Sequence, residues 1–389
     1  MSGPSGGLPW PRAHQTAYDV ARPLPGVELP LVAAGGTTLA EPLPARAALP
    51  PFDSAAMDGY AVNGPPPWRV VGSVRAGQRP ADRLRPGTAV EVATGAPAPP
   101  GTDAVVPYEV SRRTGDRLSG PVEAGRHLRR AGEECAAGDP LLPAGSLLTP
   151  VALGLAAAAG WDTLLVRPAP RVRLVVTGDE LVTDGLPTGA RVRDALGPML
   201  PGLLAAAGAR VTALLHLPDR VGALAAGLTG GPADEPVEVV VTTGASARGP
   251  ADHLRPLLAD LAADVLIDGV ACRPGHPQLL ARLPAGGYVV GLPGNPLAAV
   301  VGWATLLRPL LAGLAGRVRP DPEPWPLLSP PAPHPARTVL LPVRRVGRAV
   351  APLPHAGPAM LRGAARAYGL AVLPPGTRPP QDVDVLPLP

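Results

Sequence analysis

Three short runs along the chain join an apolar stretch to small, hydrogen-bonding residues, an arrangement that lets backbone and side chains grip an anion together. In Val175-Val176-Thr177-Gly178-Asp179-Glu180-Leu181, a glycine turn and two carboxylates follow the apolar stretch. In Val241-Thr242-Thr243-Gly244-Ala245-Ser246, hydroxyls and a glycine follow it. In the third run, residues 288–292 lead into Pro293-Gly294-Asn295-Pro296, which reads as a glycine turn, an asparagine cap and a proline at the first helical position. Free N–H groups at a helix start attract phosphate-like anions, so the three runs together point to a phosphorylated small molecule. Any one of them alone is more readily read as a tight strand-to-helix turn. Asp252 stands at the start of a further helix, where it is either an N-cap or a ligand for a hard divalent cation.

A second group lies upstream. The run from Pro51 to Val62 sets Asp53 and Asp58 five residues apart in an apolar loop, with Met57 between them. Carboxylates in such a setting are costly to bury without a partner. Thr94-Gly95-Ala96-Pro97 and the stretch from Asp103 to Glu109 repeat acidic or hydroxyl groups around an apolar strand. A β-turn accounts for Asp103. It accounts less well for Asp58, which is next to Gly59 but otherwise among apolar residues.

These residues need elements to hold them. From residue 171 to about 316, β-branched runs alternate with helical blocks: strands at 173–176, 211–215, 237–242, 265–270 and 288–292, and helices at 197–207, 220–228, 252–262 and from 296 onward. That alternation predicts a parallel sheet covered on both faces, with ligands at the carboxyl ends of its strands. Residues 51–145 show short alternating runs such as 68–74 and 89–93, broken by Gly and Pro, which predicts short β-strands and turns. Residues 8–50 are Pro-rich and read as an arm that docks elsewhere, and residues 150–160 read as a helix. Residues 320–335 read as a linker. Beyond it, runs at 337–345 and 348–351 predict a small β unit, and residues 359–368 one short helix.

Composition narrows the function classes. Pro (57) and Gly (47) are abundant among the 389 residues, but 46% of the chain is apolar and 17% charged, enough to bury a core, so disorder is excluded. Aromatics are only 3%, so that core is aliphatic. The charge of +4 is carried entirely by arginine, since the chain has no lysine. The arginines occur as scattered short pairs without aromatic platforms between them, which argues against a nucleic-acid groove. Cys135 and Cys272 are too few and too distant for a disulfide scaffold or thiolate metal site. The greasiest stretch, residues 297–314, is interrupted by Arg308 and Pro309 and follows a strand and turn, so it is expected as a buried helix, not a membrane span. No secretory signal is visible, and a soluble, cytoplasmic protein without membrane contact is expected.

The runs at 53–62, 94–97, 177–181 and 291–296 occur in an order and spacing that resembles the molybdopterin molybdenumtransferase family, which includes MoeA and the gephyrin E domain. The likeness extends over about residues 8–376. It implies an α/β multidomain fold: a doubly wound, MogA-like molybdopterin-binding domain (171–318), a β-rich lid (46–145), a discontinuous arm domain (8–45 and 146–170) and a small C-terminal β domain (319–389). It also implies a homodimer whose active site lies between the α/β domain of one subunit and the lid of the other. The implied reaction inserts molybdate into adenylylated molybdopterin with release of AMP, helped by Mg²⁺. By position, the resemblance implies catalytic roles for Asp58, Thr94, Glu180 and Asp252, with Asp58, Glu180 and Asp252 as metal ligands. It implies cofactor binding by Thr177, Gly178, Asp179, Asp219, Thr243, Gly244, Ser246, Arg273, Pro293, Gly294 and Asn295. Carboxylates holding a cation against a pyrophosphate neutralise charge where cleavage needs it most.

Several positions depart from the family pattern. The lid's usual Gly-Asp is Gly132-Glu133-Glu134, and the loop after Thr243 reads Gly244-Ala245-Ser246-Ala247, losing a glycine and a serine. Leu196 stands for Asn, Pro358 for Ser, and Gly269 or Asp268, with Arg273, at basic positions. The reading that competes with an active enzyme is therefore a degenerate relative that binds molybdopterin or a partner protein without turnover. A nucleotide-processing enzyme sharing only the α/β domain is a third class, against which the lid motif argues.

Overall fold

The computed structural model describes residues 7–79, 82–230, 235–244, 253–376 and 382–389. The chain divides into two compact units, one of Met1–Val27, Gly36–Ala40 and Val166–Pro389, the other of Glu28–Gly35 and Glu41–Leu165.

The larger unit is built on a six-stranded sheet in the order Arg210–Leu217, Arg171–Thr177, Val239–Thr243, Tyr288–Leu292, Leu279–Arg282 and Asp264–Asp268. The first four strands run parallel, as the alternation of strands and helices predicts. Val172, Leu174 and Val176 are buried on one face with Leu200 and Leu204 of the Leu196–Ala206 helix. Val175 and Val240 are buried on the other face with Leu224 and Leu228 of the Val221–Thr229 helix and Leu254 and Leu258 of the Leu254–Asp260 helix. Because successive strand residues face opposite ways, a run that is apolar throughout satisfies two helical layers at once.

One strand, reversed between two neighbours, corrects the expectation of a purely parallel sheet. Leu279–Arg282, which the sequence reading missed, runs antiparallel to Tyr288–Leu292, and Asp264–Asp268 runs antiparallel to it in turn. Residues 283–287 are too few to cross the sheet, so they can only reverse the chain into a hairpin. The strand expected at 265–270 is also split. Gly269 adopts φ +84°, a conformation that a side chain at this position would strain. The chain before it stays in the α/β sheet, whereas Val270–Arg273 leaves for a second sheet.

That second sheet runs Leu8–Pro9, Val270–Arg273, Thr338–Val346, Gly369–Leu373, Asp382–Pro387 and Glu323–Pro326, with Ala349–Pro352 also on Thr338–Val346. The stretch read as a linker thus supplies an edge strand, Glu323–Pro326, where its prolines are tolerated. The helix expected at 359–368 is only a single 3₁₀ turn, Ala364–Arg366, because Gly363 sits inside the stretch and favours no helix.

The apolar stretch Pro296–Leu314 forms the expected helix, 94% buried within the larger unit. A turn of π-helix at Trp303–Leu307 interrupts it. There Thr305 Oγ accepts a 2.9 Å hydrogen bond from Trp10 Nε1 and donates one to the Val301 carbonyl. Trp10 belongs to the Trp10–Asp19 helix, an element hidden in the Pro-rich N-terminal stretch: its proline lies in the first turn, where the missing N–H costs nothing.

The smaller unit carries a mixed six-stranded sheet, Arg112–Thr114, Arg117–Ser119, Trp68–Val74, Thr88–Val92, Gly59–Val62 and Ala104–Pro107. Tyr60, Val62 and Trp68 fill one face and Ala61, Val74, Val90 and Val92 the other. The expected helix is Pro150–Ala158, capped by the Thr149 hydroxyl on the Ala152 N–H.

His14, on the Trp10–Asp19 helix, is 3% exposed, stacks on Trp10 at 5.2 Å, and has no partner for Nε2 among the described residues. Burial, reinforced by Arg319, lowers its pKa to about 4. The unfolded chain takes up this proton near pH 6.5, so the stability present above that value should fall as pH drops towards 4, by on the order of 3 kcal/mol. Thermal melts of the protein and of His14→Phe between pH 7 and pH 4 should diverge accordingly, with the variant showing the shallower loss; parallel curves would refute the assignment.

Candidate ligand-binding site

The carboxyl ends of three neighbouring parallel strands open onto a cavity of about 590 Å³. Register makes the ends level: Val176 pairs with Thr243, and Thr243 with Leu292. The next residues of each strand therefore line the same hollow, with Thr177, Glu180 and Leu181 from the first, Thr243 and Gly244 from the second, and Gly294, Asn295 and Pro296 from the third. The turns pack tightly against one another. Thr177 Oγ donates to the Thr243 carbonyl at 2.9 Å. Gly244 has φ +93°, and a Cβ there would stand 2.6 Å from the Thr177 carbonyl oxygen, so only glycine fits. Gly178 completes the first turn and Pro293, buried, backs the third.

The donors facing this cavity differ from those the sequence suggests. Asn295 precedes the helix but its side chain makes no capping bond, and it is exposed at the cavity. Of the first helical N–H groups, Pro296 has none and that of Ala298 goes to the Pro358 carbonyl at 3.2 Å. The helix terminus is thus partly spent on the protein itself. Thr243, only 1% exposed, also lines the cavity, and its buried hydroxyl has no hydrogen-bond partner among the described residues. A buried hydroxyl left unpaired costs free energy until a ligand or water satisfies it.

The sequence reading missed Asp194. It is buried at the cavity wall, accepting the Leu196 and Gly197 N–H groups and bonded to His216 Nε2. Burial pushes this carboxyl up, but the His216, Gly197 and Leu196 hydrogen bonds together outweigh it and hold the pKa below the usual value. An aspartate shortly before an apolar helix is the signal available in the sequence, the same one that flags any helix cap. Leu196, the departure noted above, turns its side chain into the core and also borders the cavity. Ala359 and Leu361, from the segment after Pro358, close the remaining side.

Other expected residues lie elsewhere. Asp179 accepts a bond from the Asp219 N–H at 3.3 Å, so these two meet each other, beside the cavity lining and not in it. Arg273 is exposed at the end of its strand in the second sheet and is likewise absent from the lining, because the chain leaves the α/β sheet at Gly269. Ser246 and Asp252, with Ala245 and Ala247, lie outside the described residues.

In the smaller unit Asp58 and Thr94 do come together. Asp58 Oδ1 accepts from the Thr94 N–H at 2.6 Å and from the Thr94 hydroxyl at 2.9 Å. The backbone bond first, then the hydroxyl bond, lowers the pKa of this exposed carboxyl. Asp53 is pinned instead to the Arg130 guanidinium at 2.7 Å and the Ala131 N–H, so it anchors its loop. Glu134, exposed, follows on the same stretch as Arg130.

Among the described residues no three His, Cys, Asp or Glu side chains gather as a metal cage. Asp194 is committed to its three donors, so among the described lining residues Glu180 is the carboxylate left to meet a cation. One carboxylate suits magnesium, which keeps most of its waters and leans on substrate phosphates; it does not suit a resident structural metal.

Fold and cavity together define a multidomain α/β protein with a small-molecule site at the carboxyl edge of its sheet. Residues 8–160 match the MoeA N-terminal region (domain I and II), and residues 173–313 a probable molybdopterin binding domain. A molybdopterin molybdenumtransferase of Synechococcus elongatus is 37% identical over 313 residues, 76% of this chain and 77% of that one. Molybdopterin molybdenumtransferase 2 of Mycobacterium tuberculosis is 36% identical over 314 residues, 76% of each. The crystal structure of a molybdopterin biosynthesis MoeA protein from Pyrococcus horikoshii matches 98% of both chains with a TM-score of 0.77 at 26% identity. The chain belongs to the molybdopterin molybdenumtransferase family of molybdenum cofactor biosynthesis.

The Asp58–Thr94 contact makes a measurable prediction. Thr94→Val removes the hydroxyl donor and keeps the backbone one, so the Asp58 pKa should rise part of the way towards its ordinary value. Carboxyl NMR titration reads this directly; an unchanged Asp58 pKa would mean that the hydroxyl does not hold the carboxylate.

Proposed function

We propose that this protein inserts molybdate into adenylylated molybdopterin and releases AMP. Family membership supports the reaction class. The observation that carries the reading is the cavity at three level strand ends, lined by Leu181, Leu196 and Leu361 together with Thr177, Glu180, Thr243 and Asn295. Apolar walls with a few placed polar groups suit a flat heterocycle bearing a polar tail. Asn295 donates to the anionic end of the substrate, Thr177, Thr243 and Gly244 hold the turns beside it, and Glu180 would hold Mg²⁺ brought in with the substrate phosphates. Magnesium there supplies neutralisation of the charge that builds as the phosphate bond breaks. Asp58, presented by Thr94, and Asp252 supply further carboxylates to the reaction, and the protein works as a homodimer in the cytoplasm.

Purified protein given adenylylated molybdopterin, molybdate and Mg²⁺ should release AMP, and Glu180→Gln or Asp58→Ala should lower the rate by about tenfold or more with little change in melting temperature. Binding of the nucleotide without any AMP release would instead establish the competing reading, a relative that holds molybdopterin and does not turn over. Neither binding nor release would end both.

Sedimentation should give about twice the 39.4 kDa chain mass at micromolar concentration. A monomer at all concentrations would remove the homodimer from this proposal.

A further inference from the structure

Asp194 lines the cavity with its carboxylate already saturated. It is 6% exposed. Oδ1 accepts from the Leu196 N–H at 2.8 Å and the Gly197 N–H at 3.1 Å, while Oδ2 shares the Gly197 N–H and lies 2.9 Å from His216 Nε2. An ionised carboxylate only accepts, so the hydrogen of this last bond is on Nε2. A group with three donors around it is neither a base awaiting a proton nor an open cation ligand. It is a joint.

The joint ties together three pieces of chain: the Val192–Arg193 strand that leads into it, the first turn of the Leu196–Ala206 helix, and the edge strand Arg210–Leu217 that carries His216. Gly197 is packed hard against it, since a Cβ at that position would collide with the Asp194 carboxylate and come within 3.1 Å of His216 Nε2. The residues so fixed, Arg193, Ala195 and Leu196, are themselves cavity lining.

We propose that Asp194 and His216 are a positioning pair for the ligand of this cavity. His216 supplies the third donor that locks the carboxylate in one orientation, and the locked carboxylate sets the wall made by Arg193, Ala195 and Leu196. The pair acts through that wall and touches no reacting atom. This inference rests on the function proposed above, since the ligand positioned is the adenylylated molybdopterin of that reading.

The His216 side chain is 36% exposed, so shortening it opens no core void. His216→Ala should raise KM for adenylylated molybdopterin about five- to tenfold, the scale of one lost hydrogen bond to a charged group, with kcat within about twofold. His216→Gln, whose amide nitrogen reaches the place of Nε2, should restore KM to within about twofold of the natural protein. Asp194→Asn, which turns an amide N–H towards existing donors, should weaken binding more than either. The backbone amide resonances of Leu196 and Gly197 should shift in His216→Ala and return in His216→Gln, a readout that needs no ligand. Unchanged KM in His216→Ala, an effect confined to kcat, or no rescue by Gln would overturn the pair while leaving the proposed function standing. A natural protein that neither binds nor turns over the substrate would overturn that function and the pair's role with it.

Discussion

The site depends on three parallel strands that stop in the same row. Val176, Thr243 and Leu292 are neighbours across the sheet, and beyond them each chain has to turn within the space left by the others. That crowding explains why the residues there are small: the Thr177 hydroxyl bonds its neighbour's carbonyl, and Gly244 presses against Thr177 where any side chain would clash. Both faces of the sheet are sealed by helices, so the carboxyl edge is where a small molecule can enter. Without the common register Thr243, Asn295 and Glu180 would not line one cavity.

The long buried helix Pro296–Leu314 links this edge to the rest of the larger unit. Its start borders the cavity, and its middle holds Trp10 through Thr305. Its first turn also gives the Ala298 N–H to Pro358, drawing in the segment that closes the cavity with Ala359 and Leu361. Three departures from the family pattern acquire physical roles in this light. Leu196 fills core while bordering the cavity, Pro358 contributes a carbonyl and not a side chain, and Gly269 allows the backbone turn that passes the chain from one sheet to the next.

The smaller unit follows the same economy on a different scaffold. Asp53 and Asp58 sit in one loop, yet one is spent on Arg130 and Ala131 to fix the loop and the other holds Thr94 at the surface. Two carboxylates of identical chemistry thus divide into anchor and presented group by the donors that happen to reach them.

The sequence by itself determined the strand–helix alternation, the burial of residues 297–314 and the turns that converge on the cavity, because periodicity and turn chemistry are local properties. The ordered motifs added the family. Tertiary structure alone decided what depends on distant partners. The antiparallel edge exists because Leu279–Arg282 finds Tyr288–Leu292 across a short reversal, and the recruitment of Leu8–Pro9 and Val270–Arg273 to the second sheet leaves no periodic mark in either segment. The same holds for chemistry. The chain's exit at Gly269 carries Arg273 into another sheet, and Asp194 shows in the sequence no more than the signal of any helix cap until His216, on a strand beyond the intervening helix, arrives beside it. A side chain's type is written in its own position, but its duty is set by which donors and acceptors the fold brings within three ångströms or so of it.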